Sequence, residues 1–530
     1  MRRLRLSRTA VFWAVAFGLL GAAIVAQHLI ALSTSPPGMY VDEASIGYNA
    51  WSIAQRGVDE HGNSWPFYFA AFGEYKNPIY VYSLAPLLNV LPLTAVTERL
   101  PAAVFGLIAI LFLTLTSWRL TSSRWIALAM CALAALTPWL VQESRVGFEV
   151  ISMVATLSVA LWAISSEDRL THRRFAIAGV FLMISIFAYS TGRVMVALFT
   201  VAFIAVYARR RYRGFWITPA FVLAGYLDLF SYALQHPGAL TAEFNLRSIA
   251  SDGAGVPVLI GRFLANYVSY FDGGYLFVSG DNNPRHNSGF AGMLLAITLP
   301  LLVLGLIGLW RRRHEALPRF LLLCLVLGPA AAAVVNNYNL PHALRSADML
   351  PFWLLLAAYG LDTVRALVRT RLAAVAAATA FGVALVGQAS LYLLDLYTAY
   401  PVRAAAAFDV GLPAAIAVAY HTADGKPVLI STTFEGDAVY IFADVALLPN
   451  PPAIPNGPRD TLMSDLGIHI MSASAIVAAA QPADVVVLAP TDPTPKGAQR
   501  IHTEYGPKDP IRPGVAAQPA VYVYRIVGSI

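Results

Sequence analysis

Eleven apolar runs, each near the length of a bilayer crossing, constrain this 530-residue chain more than any motif in it. Crossing a hydrocarbon core of about 30 Å takes about 20 helical residues. The runs fall at 10–32, 98–118, 125–141, 146–165, 175–191, 193–208, 215–234, 289–310, 320–336, 346–364 and 372–395. A chain with 58% apolar and only 13% charged residues is neither disordered nor an ordinary soluble protein. The reading is a polytopic α-helical membrane protein.

More than half of the 37 Lys and Arg sit in short segments between these runs: Arg2, Arg3, Arg5 and Arg8, Arg119 and Arg124, Arg169 to Arg174, Arg209 to Arg213, Arg311 to Arg319, and Arg365 to Arg371. With the N-terminus in the cytoplasm all of them are inner, as the positive-inside rule requires. The net charge of +7 therefore reports topology, and no nucleic-acid partner is expected. The opening MRRLRLSR with its apolar run has the form of a signal peptide, but the run is long enough to span and is read as a retained helix. The same parity puts 33–97, 235–288 and 396–530 outside. No Asn begins an N-x-Ser/Thr sequon, which favours a bacterial cytoplasmic (inner) membrane. Cys131 and Cys324 both lie inside apolar runs, so no disulfide framework is expected.

Two domains follow. Residues 1–395 form the membrane domain, with a first outer loop at 33–97 and another at 235–288, and 396–530 form an extracytoplasmic α/β domain. In the first loop Ser45–Arg56 and Ile79–Leu91 read as amphipathic helices lying on the membrane surface. Beyond 396, Pro427–Thr433, Val439–Ala443, Ile468–Met471, Val485–Ala489 and Val521–Ile526 read as strands, with AAAAFDVGLPAAIAVAYH and SASAIVAAA as helices.

Asp42 and Glu43, in MYVDEASIGYNAW just past the first apolar run, are a functional signal because a carboxylate at a membrane edge is costly unless it is paired or reacts. Adjacent residues do not face each other on a helix. The two acids are thus not the facing couple that glycoside hydrolysis uses, and transfer is favoured over hydrolysis. FGEYKNPIYVY contributes Glu74 and Lys76, and SRVGFEV places Arg145 and Glu149 four apart, able to pair on one helical face. NNYNLPHALRSADMLP contributes His342 and Arg345, and GDNNPRHN adds Asp281, Arg285 and His286. Asp42, Glu43, His286 and His342 mix carboxylate with imidazole, which suits several divalent ions. They lack compact ligand spacing, so no obligatory metal and no other cofactor is expected.

Over residues 1 to about 365 these strings, in this order, resemble the bacterial membrane glycosyltransferases of the GT-C fold grouped with protein O-mannosyltransferases and the lipid A aminoarabinose transferase. The resemblance implies an inverting hexosyl- or pentosyltransferase with a polyprenyl-phosphate-linked sugar as donor and an extracytoplasmic acceptor: a protein Ser/Thr, a lipid or a polysaccharide. It implies Asp42 as the base, with Glu43 beside it. Lys76 and Arg345 would meet the donor phosphate, with His342, and Glu74, Glu149, Arg145, Arg285 and His286 would line the cavity. Where relatives carry an acid between the basic residue and the proline, this chain has Asn77, which puts the role of Glu74 in question. The rival reading is a translocator of lipid-linked sugars or a non-catalytic envelope assembly protein. A translocator needs polar groups along a path to the cytoplasm, whereas here acids and bases gather at the outer ends of the runs.

Overall fold

The structure, a computed structural model, describes residues 8–165, 170–208, 212–335, 340–447, 463, 466–512 and 514–528. Arg2, Arg3, Arg5, Arg169, Arg209 to Arg211 and the NNYN of NNYNLPHALRSADMLP lie outside these residues. The chain divides into two compact units: Met1–Ile30 with Leu100–Leu393, and Ala31–Arg99 with Leu394–Ile530. The first outer loop thus belongs to the same unit as the C-terminal region.

In chain order the elements up to residue 397 are α1 (Arg8–Leu29), α2 (Val41–Arg56), β1 (Phe69–Ala71), β2 (Glu74–Lys76), α3 (Pro78–Leu84), α4 (Ala95–Thr121), α5 (Arg124–Leu136), α6 (Pro138–Glu143), α7 (Val150–Ile164), α8 (His172–Ala188), α9 (Gly192–Tyr207), α10 (Ile217–Gln235), α11 (Ala242–Arg247), α12 (Val256–Ser269), α13 (Gly273–Phe277), α14 (Thr298–Arg311), α15 (Ala316–Leu327), α16 (Ala330–Ala333), α17 (Leu350–Leu367) and α18 (Arg371–Tyr397). Helix occupies each of the eleven apolar runs, because a backbone in lipid must satisfy its own hydrogen bonds. Among the described residues six helices, Val11–Leu29, Ala95–Thr121, Ile217–Gln235, Ala316–Ala333, Ala347–Leu367 and Arg371–Tyr397, are long and apolar enough to cross a bilayer unaided. By that standard six of the eleven expected crossings stand. The others are shorter: α5 ends at Leu136, where Thr137 and Pro138 start a separate turn of helix.

Within the first unit, α14 and α17 pack backbone to backbone. A Cβ on Gly305 would collide with the Leu356 carbonyl, and one on Gly360 with that of Leu301. Small residues permit such close approach, which is how helices associate where lipid gives no hydrophobic driving force.

The second unit carries α19 (Ala399–Ala404), α20 (Leu412–Ala423), β3 (Val428–Ser431), α21 (Tyr440–Ala446), β4 (Ile468–Met471), α22 (Ala473–Ala479), β5 (Val485–Leu488), β6 (Ala498–Tyr505) and β7 (Pro519–Ile526). Its five-stranded sheet has the order β4-β3-β5-β7-β6. β3 pairs in parallel with β4 and β5, while β7 runs antiparallel to β5 and β6. α22 covers one face, where Ile476 packs with Leu429, Val486, Leu488 and Ile526. α20 packs against β3, β5, β6 and β7. Its apolar residues are therefore explained by the sheet, although with the preceding helical segment it is apolar enough to count as a bent span.

Two readings of this region need correction. Val439–Ala443 is not a strand: Tyr440 opens α21, which buries Ile441, Phe442 and Ala443 and packs against α2. A short apolar run cannot by itself distinguish the two periods. β6 was missed because AQRIHTEY is mostly polar, as suits an edge strand. In the first-loop segment α2 forms as expected but is buried over most of Val41–Ile53 by protein, against α3 and α21, and does not present a free amphipathic face.

Candidate active site

Asp42 and Glu43 sit in the first turn of α2, where negative charge complements the helix dipole. Their side chains then part. Glu43 is fully buried and receives a two-pronged grip from Arg99, with Nε to Oε1 at 2.7 Å and Nη2 to Oε2 at 2.8 Å. Arg99 also donates to the carbonyls of Leu32 (2.7 Å), Pro36 (2.8 Å) and Gly38 (2.8 Å), and the Glu43 carboxylate accepts the Tyr40 N–H. One guanidinium thereby fixes the chain from the end of the first apolar run to the start of α2. Gly38 is required there, at φ 61 with its Cα against the Phe408 carbonyl.

Asp42 keeps a side chain 36% exposed and faces Lys76, whose Nζ lies 2.7 Å from Asp42 Oδ1 and 2.7 Å from Glu74 Oε1. Lys76 ends β2 of a hairpin with β1, and Asn77–Pro78 then starts α3, proline being well suited to the first helical turn. A buried ammonium between two half-exposed carboxylates is a compact site for exchanging one anion for another. Asp42, Glu74 and Lys76 are thus brought together, and Glu43 is held apart by Arg99.

The first unit holds a second cluster. Asp281 Oδ2 accepts from the Ala343 amide (2.8 Å) and lies 2.9 Å from His286 Nδ1 and 4.0 Å from His342 Nδ1. The two imidazole rings are 4.5 Å apart. Burial works to raise the Asp281 carboxyl, but the charge and hydrogen bond of His286, with His342 and the Ala343 amide, outweigh it and hold Asp281 below the usual range. Burial first, then the charge of His286, push His342 well below an ordinary histidine. Glu143, fully buried at the end of α6 with both oxygens lacking a hydrogen-bond partner among the described residues, is pushed well up by burial and by the charge of Asp281.

Asp281, His286 and His342 offer ligand atoms all within 4.8 Å of one another, a group able to hold a divalent cation. Among the described residues it includes neither Asp42 nor Glu43, so the mixed four-residue set considered from sequence is not one cluster. Arg345 is 6% exposed, five residues before α17 begins at Leu350 and three after His342. Arg285 lends its carbonyl to the Gln142 amide at 3.1 Å.

Arg145 and Glu149 do not share a helical face. α6 ends at Glu143 and α7 begins at Val150, with Glu149 as its cap. The Arg145 guanidinium instead donates to the carbonyls of Gln27 (2.9 Å) and Ile30 (2.6 Å), at the end of α1, where helix carbonyls run out of intrahelical donors. Sequence reading missed Arg99, Glu98 and Glu143. The signal for the first two was present: adjacent charges inside an apolar run call for a named partner.

No protein-family model matches the chain, and no curated protein matches it in sequence. Among solved structures, ArnT from Cupriavidus metallidurans in the apo state superposes with a TM-score of 0.53 at 12% identity, covering 97% of this chain and 98% of that one. The same protein bound to undecaprenyl phosphate gives a TM-score of 0.51 at 12% identity over the same shares. The S. cerevisiae protein O-mannosyltransferase Pmt1-Pmt2 complex bound to the sugar donor matches at a TM-score of 0.33 and 15% identity, over 44% of this chain and 35% of that one. This chain is a multi-pass membrane protein with the fold of ArnT over nearly its whole length.

Proposed function

We propose that this chain is an inverting glycosyltransferase of the bacterial inner membrane, moving a sugar from a polyprenyl phosphate to an extracytoplasmic acceptor. The observation that carries the reading is Lys76 bridging Asp42 and Glu74 on the loop after the first apolar helix. The ArnT-like fold over 97% of the chain supports it, since the comparison includes a complex with undecaprenyl phosphate.

In this reading the acceptor oxygen attacks the sugar's anomeric carbon as the bond to the phosphate oxygen breaks. Asp42 takes the acceptor's proton. Negative charge gathers on the departing phosphate, and Lys76 meets it, releasing Asp42 as it does so. Arg345, through its planar fork, holds the lipid phosphate with His342 beside it. Glu43, gripped by Arg99, sets the start of α2, and Glu74, Arg145, Glu149, Arg285 and His286 support the cavity. No obligatory metal enters this scheme, so chelator treatment is expected to leave transfer intact. The N-terminus is cytoplasmic, and 33–97, 235–288 and 396–530 are outside.

The test is the dependence of transfer on donor concentration for the full chain in nanodiscs. Arg345→Ala is expected mainly to raise KM for the lipid-linked donor, and Lys76→Ala to lower kcat. Arg345→Lys should restore only part, because an ammonium cannot make the bidentate contact. Unchanged kinetics for Arg345→Ala and Lys76→Ala would overturn the assignment.

A further inference from the structure

Phe72 occupies a turn position that aromatic residues avoid. It and Gly73 form the two-residue turn between β1 and β2, with φ of 54 and 79. Turns with both central residues at positive φ ordinarily take Asn, Asp or Gly first, because a Cβ is crowded there. A strained residue of this kind persists only where its surroundings hold it.

Here the surroundings are specific. The Phe72 ring lies 5.9 Å from the ring of Tyr440, and Lys76 Nζ lies 5.6 Å from the Phe72 centroid. Tyr440, the first residue of α21, also places its hydroxyl 3.5 Å from Glu60 Oε2. The Glu60 backbone N–H donates in turn to Asn49 Oδ1, on α2. One C-terminal tyrosine therefore reaches both the hairpin that carries Lys76 and the helix that carries Asp42. All of these contacts lie within the second compact unit.

We propose that Tyr440 is a positioning residue for Lys76: it seats the strained Phe72 ring against the ammonium and so keeps Lys76 between Asp42 and Glu74. The region beyond 396 then belongs to the phosphate-handling apparatus. That consequence rests on the proposed function; the positioning itself does not.

Lys76 can be read directly, because the chain has only three other lysines, Lys426, Lys496 and Lys508, and all three are exposed. The full chain in nanodiscs is treated briefly with acetic anhydride, and acetylation of each lysine is followed by peptide mass spectrometry. In the wild type Lys76, 5% exposed, should react far more slowly than the other three. Tyr440→Ala should speed Lys76 acetylation roughly fivefold, the scale of a lost cation–π support, and leave Lys426, Lys496 and Lys508 unchanged. Phe72→Leu should do the same from the other side of the contact. Tyr440→Phe, which keeps the ring, should retain protection.

Wild-type protection of Lys76 in Tyr440→Ala and Phe72→Leu would overturn the proposal. Should Tyr440→Ala fail to fold, Phe72→Leu and Tyr440→Phe still decide it. In a second arm, undecaprenyl phosphate binding should weaken equally in Tyr440→Ala and Lys76→Ala, with no further loss in the double variant. Altered Lys76 reactivity with undecaprenyl phosphate binding unchanged in every variant would support the positioning role and overturn the glycosyl-transfer reading.

Discussion

The two acid clusters solve the same burial problem by opposite means. In the second unit the carboxylates of Asp42, Glu43 and Glu74 each face a permanent cation, Lys76 or Arg99. In the first unit Asp281 faces two imidazoles, while Glu143 has a buried carboxyl with no hydrogen-bond partner among the described residues. Arginine and lysine keep their charge across the working range of pH, whereas histidine does not. The first arrangement fixes geometry whatever the proton concentration, and the second lets the proton concentration set the charge.

The sharpest way to break this contrast is to remove the fixed cation. Arg99→Ala leaves the Glu43 carboxylate buried without its cation and frees three backbone carbonyls. A loss of about 3–5 kcal/mol is expected, seen as a large fall in folded yield and melting temperature. Restoring most of the loss with Arg99→Met in a Glu43→Leu background would show that the stranded charge, not lost packing, is what hurts. Asp42→Asn should cost far less stability, its side chain being 36% exposed. It should nonetheless slow transfer by about 10²-fold or more, measured on purified protein, and Glu43→Gln should slow it less.

The proton-sensitive cluster is tested by pH. His342 has a folded pKa below its unfolded one, so the stability it contributes is present above the ordinary histidine value near about 6.5 and is lost as pH falls through the folded value. Asp281, also lowered, adds a loss further into acid, as pH falls from its unfolded value through its folded one. His342→Gln should therefore flatten the acid side of a melting-temperature profile, by at most about 1.4 kcal/mol per pH unit. Glu143 runs the other way. Its raised pKa gives stability that is full below the ordinary carboxylate value and is lost as pH rises. Glu143→Gln should raise the melting temperature modestly at pH 7–8 and leave it unchanged near pH 4.

What the sequence revealed follows from the range of the interactions involved. Apolar runs announce helices because the signal is repeated over twenty residues, and the parallel strands Val428–Ser431, Ile468–Met471 and Val485–Leu488 were legible as uniform apolar segments. Glu74 and Lys76 lie two apart on one strand, but Asp42 meets Lys76 from α2, 34 positions away, which spacing does not encode. Arg145 and Glu149 had the right spacing for a helical pair, and the break between Glu143 and Val150 removed the helix beneath it. The contacts of Arg99 and Tyr440 stayed invisible for a different reason. Their partners are remote in sequence: Arg99 is 56 positions from Glu43, and the Tyr440 phenol is 380 from Glu60.

That remoteness imposes an order of events during synthesis. The segment 31–99 is made before residues 100–393, and its packing partner α21 comes only after them. The sheet, whose β3 precedes α21, closes still later, because β7 must slot between β5 and β6. At about 5–20 residues per second the loop waits on the order of tens of seconds for its complement. During that interval Phe72 has no Tyr440 to rest on, and its strained turn has little reason to persist. Until α21 is made, the loop lacks the ring that, on the proposal above, seats Lys76 beside Asp42.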